Sequence, residues 1–198
     1  MSALEVGIVL FDDAEELDWA GPWEVLCALS AVGEANVFTV AESAGPVRCA
    51  KGLRVLPDRT FDEVTTLDVV LVPGGQGSRV EQSNAVMLAW LNAVAPGCQW
   101  VTSVCTGAAI LAGAGLLEGK RATTHWGYIE TLRKDHPEVE VIEKIRYVRD
   151  GNVVTAAGVS AGIDMALWLV GQIHTPEIAR RVQHYIEYDP APPYAAEV

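Results

Sequence analysis

Nearly continuous apolar runs recur along the chain and alternate with longer stretches of helical character. A strand that is buried on both faces reads as such a run, because helices cover a parallel sheet on each side. Pro176 stands where a helix start is expected, since proline is tolerated in the first helical turn. The pattern predicts strands at Leu4–Phe11, Asn36–Ala41, Leu67–Val72 and Gln99–Val104, and helices at Pro22–Val32, Val86–Val94, Gly107–Leu116, Tyr128–Lys134, Ala161–Ile173 and Glu177–Tyr188.

Shorter elements fill the gaps between these runs. The segment Pro46–Pro57 alternates with period two around a central glycine, which indicates a small hairpin or arm. A short strand is expected within Arg121–Thr124, and a second hairpin within Glu138–Ala156 that turns at Asp150–Asn152. The proline-rich segment Asp189–Tyr194 is expected to be a tail.

The alternation of strands and helices with short connections predicts the fold class. We expect an α/β, flavodoxin-like domain: a three-layer, doubly wound, mostly parallel sheet with helices on both faces. No internal repeat and no linker divides the chain, so residues 1–198 are expected to form a single domain.

Charge and composition narrow the class of partner. The chain has 198 residues, of which 50% are hydrophobic, and a formal net charge of −12. Such a chain repels phosphate backbones and anionic lipid surfaces, so we expect neither nucleic acid nor a membrane as partner. The longest apolar region, 93–117, is interrupted by polar residues, and the first residues lack the basic start of a signal peptide. These observations predict a cytoplasmic protein.

The four cysteines are scattered along the chain. They form no CxxC pair and no zinc-like spacing with histidine, so we expect no metal site. Three of them, Cys27, Cys49 and Cys98, are expected to pack as small hydrophobic side chains.

Candidate chemistry follows the predicted strand ends. In an open α/β sheet, ligands bind beyond the carboxyl ends of the strands. Four features come at such ends: Asp18, the glycine loop Gly74–Gly77, Cys105 and His125. We expect Asp18 and Cys105 to lie side by side there.

Cys105 has the strongest local context of the four. The segment VTSVCTGAAIL turns sharply from strand to helix, with small residues where the helix must approach the sheet, as in the nucleophile elbow of hydrolases. The N–H groups and the positive dipole end of the helix are expected to favour the thiolate. We therefore expect Cys105 to be the most reactive thiol, with a buried packing cysteine as the alternative.

Each of the other three features has two interpretations. The loop with Gly74 and Gly75 is either an oxyanion loop beside the nucleophile or a plain tight turn. Asp18 is either an acid/base group that burial keeps protonated or a turn aspartate. His125 is either a general base or, as we favour, a hydrogen-bonded residue that supports the site.

One further segment matches a known catalytic motif by residue type. His136–Glu138 matches the His-x-Glu pair that completes a Cys-His-Glu amidotransferase triad. It lies after a predicted helix and before a predicted strand, which is the wrong edge of the sheet for a ligand site. We expect it to be a loop that is remote from Cys105.

Several segments together resemble the ThiJ/PfpI superfamily, a branch of the class I glutamine-amidotransferase-like fold. They cover most of the chain and are ELDWAGPWEVL, LVPGGQG, SVCTGAAILAGAGLLEGKRATTHW, AAGVSAGIDMAL and ARRVQHYIEYDPAPPY. The elbow together with ATTHW is similar to one subgroup, the isocyanide hydratases and the sensor halves of AraC-type transcription regulators.

The resemblance implies a homodimer without a metal or organic cofactor. It also implies that Cys105 is the nucleophile, that Asp18 is the acid/base group, and that Thr106 and Gly75 donate amides. Thr106 rather than histidine follows the cysteine, which argues against the peptidase and glyoxalase chemistry of other members. AraC-type regulators continue into a helix-turn-helix domain, whereas this sequence reaches Val198 without a basic segment, so DNA binding would need a partner.

The resemblance implies an isocyanide hydratase, which adds water to a small-molecule isocyanide through a cysteine thioimidate to give an N-substituted formamide. Trp19 and Trp126 are expected to wall an apolar substituent, with core packing as the alternative. Two other functions stay open. An amidase or glyoxalase-like hydrolase needs His125 within hydrogen-bonding reach of Cys105, and an oxidation sensor needs an exposed Cys105 thiolate.

Overall fold

The computed structural model describes residues 3–30 and 35–190. Its strands are β1 (Leu4–Val9), β2 (Ala35–Ala41), β3 (Val47–Arg48), β4 (Arg54–Val55), β5 (Arg59–Thr60), β6 (Val69–Val72), β7 (Trp100–Val104), β8 (Arg121–Ala122), β9 (Glu140–Val141), β10 (Tyr147–Asp150) and β11 (Val153–Ala156). Its helices are α1 (Glu16–Ser30), α2 (Ser78–Glu81), α3 (Ala85–Val94), α4 (Gly107–Gly113), α5 (Ile129–Asp135), α6 (Ala161–Ile173) and α7 (Pro176–Tyr185).

A seven-stranded sheet lies at the centre, with strand order β10-β11-β7-β6-β1-β2-β5. All neighbouring pairs are parallel except the edge hairpin of β10 and β11. The five inner strands thus follow the flavodoxin-like order, whose switch point lies between β1 and β6. The predicted fold class is confirmed.

The helices cover the sheet in two groups, because its central strands are buried on both faces. All four residues of β6 and of β11 are buried. On one side α1 packs against α6 and α6 against α7, while α4 packs against α2 and α3. The three-layer arrangement follows from these contacts.

A glycine lets α4 approach the sheet closely enough to form the turn after β7. A Cβ atom added at Gly107 would lie 2.2 Å from the carbonyl oxygen of Val72, closer than any side chain tolerates. The small residues after Cys105 therefore have the role in packing that the sequence predicts.

The start of α1 differs from the prediction. The helix begins at Glu16 rather than at Pro22, which lies inside it, so Asp18 is in the first helical turn and not in the preceding loop. Pro22 removes only the hydrogen bond to the carbonyl of Asp18. Packing compensates, because Gly21 allows the side chain of Ile163 on α6 to approach closely.

The smaller elements largely match the expected ones. The arm at 46–57 is the antiparallel pair β3–β4, and the edge hairpin turns at Asp150–Asn152 as predicted. The strand in 121–124 is β8, which pairs in parallel with β9. Two elements, β5 and α2, were not predicted. The last two residues of the first predicted helix, 31 and 32, and residues 191–194 of the predicted tail lie outside the described residues.

Within the described ranges, no helix combines the length and the apolar character that crossing a bilayer requires. Over the same ranges, no group of three His, Cys, Asp or Glu side chains is arranged to hold a metal ion.

Candidate active site

Cys105 occupies a strained turn between β7 and α4. Its φ is +57°, in the left-handed region that residues other than glycine rarely adopt. Its N–H donates to the carbonyls of Ala156 (3.1 Å) and Ala157 (2.9 Å), and its carbonyl accepts from the Thr124 hydroxyl (2.8 Å). These bonds from two neighbouring segments hold the turn, as a nucleophile elbow requires.

The environment of the Cys105 thiol opposes ionisation. Burial, and to a smaller extent the charge of the nearby Asp18 carboxyl, raises the pKa of the thiol to about 12, against the lowering effect of N–H groups of Thr106 and Val159. The expectation that the helix N-terminus favours the thiolate is therefore wrong in its net direction. Burial outweighs the few N–H groups that the seven-residue α4 and its neighbours direct at the sulfur. The thiol needs a base at the moment of reaction.

Asp18 is the group placed to act as that base. Its side chain is fully buried, and Oδ2 accepts a hydrogen bond from the N–H of Gly74 (2.9 Å). The carboxyl lies beside the Cys105 thiol and interacts with it electrostatically, while its buried Oδ1 accepts no hydrogen bond from the described residues. The two side chains lie together, and the carboxyl bonds to the distant glycine loop rather than to its own turn.

Burial, and to a smaller extent the charge of Glu15, raises the pKa of Asp18 from 3.8 to about 7. The carboxyl thus loses its proton near neutral pH, whereas Cys105 keeps its proton until about pH 12. The pair titrates as one unit, and between these values it holds one proton. This is the state in which the proton can move from sulfur to carboxylate.

The buried carboxyl predicts a stability effect for Asp18→Asn. Because the folded protein holds a proton on Asp18 that the unfolded chain releases, the contribution of Asp18 to the free energy of unfolding falls as pH rises from about 4 to about 7. A pKa raised from 3.8 to about 7 corresponds to at most roughly 4 kcal/mol. Asparagine has no charge to bury, so the variant should match the parent near pH 4 and exceed its stability at pH 8. Urea unfolding at both pH values measures this, and a stability difference that does not change with pH would contradict the raised pKa.

The glycine loop after β6 supports both members of the pair. Glu15 donates its N–H to the carbonyl of Gly74 (2.9 Å), which ties the loop to the start of α1. A Cβ atom at Gly74 would lie 2.4 Å from the nitrogen of Thr106, so only glycine fits against the elbow. The N–H of Gly75 donates to Oγ1 of Thr106 (3.0 Å). Both loop amides thus have partners within the site, and Gly75 lines the cavity beside Cys105.

The amides at the sulfur belong to Thr106, as expected, and to Val159, which sequence reasoning missed. Val159 has a φ of +48°, a strained value for a β-branched residue, and it follows β11 at the same edge of the sheet. Its position after a strand end, in the segment AAGVSAG, is the signal that was available in the sequence.

Two residues of the unpredicted α2 extend the site. Ser78 donates its hydroxyl to Oγ1 of Thr106 (2.8 Å) and to the carbonyl of Gly75 (2.8 Å). Arg79 donates Nη1 to the same carbonyl (2.7 Å). Together they fix the hydroxyl of Thr106 beside the elbow.

His125 lines the site without bonding to the nucleophile. Its Nδ1 accepts from the N–H of Gly127 (3.2 Å), and burial, assisted by the charge of Arg79, lowers its pKa. The ring is therefore neutral at physiological pH. No hydrogen bond joins it to Cys105 among the described residues, which supports the interpretation as a supporting residue.

A cavity of about 430 Å³ opens beside Cys105. Trp126 lines it and is 83% exposed, whereas Trp19 does not line it and is buried against the Cys49 thiol. The expectation that Trp19 walls the substrate is thus wrong, and its core-packing alternative holds. The lining is mostly polar and comprises Glu15, Ala50, Lys51, Gly75, Gln76, Arg79, Cys105, Thr106, His125, Trp126, Gly127 and Val159.

The remaining candidates lie elsewhere. Burial raises the pKa of Cys27, Cys49 and Cys98, and none of the three lines the cavity. His136 ends α5, where its Nδ1 lies 3.2 Å from the carboxylate of Glu138, and neither residue lines the cavity. The His-x-Glu segment is separate from the site, as predicted.

Comparison with known proteins agrees with this geometry. The profile of the DJ-1/PfpI family matches residues 5–172. The chain belongs to the DJ-1/PfpI family. A solved structure described as a ThiJ/PfpI family protein from Pseudomonas syringae superposes with a TM-score of 0.91 at 33% identity, over 100% of this chain and 80% of that chain.

Two curated relatives of this DJ-1/PfpI protein represent different functions. An isonitrile hydratase of Pseudomonas putida is 42% identical over 193 residues, which cover 97% of this chain and 82% of the relative. The HTH-type transcriptional regulator CdhR of Pseudomonas aeruginosa is 32% identical over 146 residues, which cover 72% of this chain but only 42% of the regulator. The family expected from the sequence is confirmed.

Proposed function

We propose that the protein is an isocyanide hydratase, an enzyme that converts a small-molecule isocyanide and water into an N-substituted formamide. The observation that carries the proposal is the buried Asp18 carboxyl, which lies beside the Cys105 thiol and has a pKa raised to about 7. The similarity to the Pseudomonas putida isonitrile hydratase supports the same conclusion.

The first step joins the thiol to the isocyanide. The sulfur of Cys105 bonds to the terminal carbon of R–N≡C, and Asp18 takes the thiol proton and delivers it to that carbon. The product is the thioimidate R–N=CH–S–Cys105. Because the same carboxyl accepts and returns the proton, no histidine base is needed.

Water completes the reaction in two further steps. The ionised Asp18 takes a proton from water as the water oxygen bonds to the carbon, and it passes that proton to nitrogen, giving R–NH–CH(OH)–S–Cys105. The C–S bond then breaks, and the hydroxyl proton returns through Asp18 to the sulfur. N–H groups of Thr106 and Val159, directed at the sulfur, stabilise the negative charge that develops there. The sum is R–NC + H₂O → R–NH–CHO.

The geometry disfavours the two alternatives. An amidase or glyoxalase-like mechanism uses a histidine base, whereas the buried acid/base group beside the thiol is Asp18 and no hydrogen bond joins His125 to Cys105 among the described residues. An oxidation sensor needs an exposed thiolate, whereas burial raises the pKa of Cys105 and leaves the residue 7% exposed.

Turnover of a substrate panel tests the proposal. We expect the purified protein to convert aryl and alkyl isocyanides to formamides, detected by chromatography and mass spectrometry, and to leave simple amides and dialdehydes unchanged. Lack of hydration across both isocyanide types would overturn the proposal. Reversible oxidation of Cys105 without any turnover would favour the sensor.

We also propose that the protein is a homodimer and that it is located in the cytoplasm. The four cysteines are all unpaired, which fits a reducing compartment. Large hydrophobic side chains, among them Tyr185, Leu56 and Ile145, are exposed on the single chain, and a symmetric interface would cover such residues. Light scattering at micromolar concentration should give twice the chain mass of 21.2 kDa. A monomer mass would contradict the dimer.

A further inference from the structure

The cavity beside Cys105 is more polar than an apolar substituent requires. Of its lining residues, only Ala50, Trp126 and Val159 have apolar side chains. Two cations, Lys51 and Arg79, also line it. The substituent that this cavity accepts should therefore carry a polar or charged group in addition to any apolar part.

The two cations differ in their partners. Nζ of Lys51 lies 2.6 Å from the carboxylate of Glu15, so the charge of Lys51 is neutralised at the cavity wall. Arg79 forms no ion pair with any carboxylate of residues 3–30 and 35–190. Of the two cations that line the cavity, Arg79 is therefore the one whose charge is available to a ligand.

Arg79 is also held in place, unlike a mobile surface arginine. Its Nη1 donates to the Gly75 carbonyl (2.7 Å) and to the hydroxyls of Ser78 (3.2 Å) and Thr106 (3.2 Å). Its guanidinium carbon lies 4.7 Å from the ring centroid of Tyr128. Nε and Nη2 donate to no atom of the described residues, so one edge of a fixed, planar guanidinium remains free.

That free edge matches a carboxylate, which accepts two parallel N–H bonds from guanidinium. We propose that Arg79 binds a carboxylate on the substituent of the substrate, so that the preferred substrates are isocyanides that bear a carboxylate. The inference rests on the proposed function and adds the substrate class. Because Arg79 is already ordered, little side-chain entropy is lost when the carboxylate binds.

The apolar part of the substituent has its own contacts. Trp126 and Val159 line the cavity with Arg79 and Cys105, and Trp126 presents a largely exposed indole. An aromatic substituent that enters this cavity would share it with the Cys105 thiol and the Arg79 guanidinium. An aryl isocyanide with a carboxylate is therefore a suitable probe.

The test compares 4-isocyanobenzoate with its neutral, nearly isosteric analogue 4-isocyanobenzamide. We expect kcat/KM of the parent to be on the order of 10-fold to 100-fold higher for the carboxylate, as a charge-assisted hydrogen-bond pair provides. In Arg79→Gln most of this preference for the carboxylate should disappear, chiefly through a higher KM for 4-isocyanobenzoate. Arg79→Lys should retain part of the preference, because the positive charge stays but the planar guanidinium is lost. A general structural defect would lower both rates and leave their ratio unchanged.

Arg181→Gln is the matched control. Arg181 is exposed on α7 outside the cavity, and its substitution changes the net charge of the chain by the same amount as Arg79→Gln. The ratio of kcat/KM for the carboxylate probe to that for the amide probe should be the same in Arg181→Gln as in the parent. This control distinguishes a direct contact at Arg79 from long-range electrostatic attraction. Equal rates of the parent on both probes, or a preference that persists in Arg79→Gln, would overturn the inference and leave the hydratase function standing.

A binding measurement separates failure of the inference from failure of the proposed function. The products 4-formamidobenzoate and 4-formamidobenzamide are tested for slowing the iodoacetamide labelling of Cys105. Stronger protection by the carboxylate in the parent, lost in Arg79→Gln, supports the carboxylate site even if no isocyanide is hydrated. Equal protection by both products contradicts it.

Discussion

Replacing Cys105 with alanine is expected to abolish isocyanide hydration. The thioimidate requires a sulfur on the strained turn after β7, and none of the other three cysteines lines the cavity. No other nucleophile occupies the turn, so the rate of formamide formation should fall to that of the uncatalysed reaction. The measurement is product formation at high enzyme concentration over hours.

Cys27→Ala is the control for this substitution. Cys27 lies on α1, is half-buried and does not line the cavity, so its removal should leave turnover intact. Hydration by the Cys105→Ala variant above the background rate would refute the covalent mechanism.

Replacing Asp18 with asparagine should lower the hydration rate by roughly 10²-fold to 10⁴-fold, the typical loss when a general acid/base is removed. Asparagine retains the size and the oxygen that accepts from Gly74, but it cannot carry the thiol proton to carbon or take one from water. Asp18→Glu should keep more activity, because the carboxyl survives and only its reach changes. Undiminished hydration by the asparagine variant would exclude Asp18 as the proton carrier.

Two further measurements distinguish lost proton transfer from a lost nucleophile. In Asp18→Asn, iodoacetamide should still alkylate Cys105, because removal of the neighbouring negative charge lowers the pKa of the thiol. In the parent, kcat/KM should rise with pH to a plateau above about 7, since the carboxyl must be ionised to accept the thiol proton. The asparagine variant should lack that rise.

The elements that the sequence predicts well are those whose pattern is local. Strands such as β6 and β7 are buried on both faces, so their apolar runs alone indicate them. Gly107 is likewise recognisable by residue type, because its contact with β6 leaves no room for a side chain. Pro22 is the exception. Its residue type predicts a helix start, whereas it lies inside α1, which packs against α6.

The parts of the site that could not be predicted depend on residues far apart in the chain. The pKa of Cys105 depends on burial and on Asp18, 87 positions earlier in the sequence, which outweigh the local effect of the helix terminus. Val159 and Arg79 reach the cavity from segments after β11 and β6. The position after a strand end marks Val159, whereas no motif marks Arg79. Trp19, chosen for its residue type, is buried instead against Cys49.

Intact-protein and peptide mass spectrometry of rapidly quenched turnover mixtures tests the central claim most directly. If Cys105 adds to the isocyanide as proposed, the protein mass should increase by the full mass of the isocyanide, with the adduct on the peptide that contains Cys105. That adduct should decay as formamide forms, and in H₂¹⁸O the label should appear in the formamide oxygen. Multiple turnovers with no adduct on Cys105 at any quench time would contradict the account.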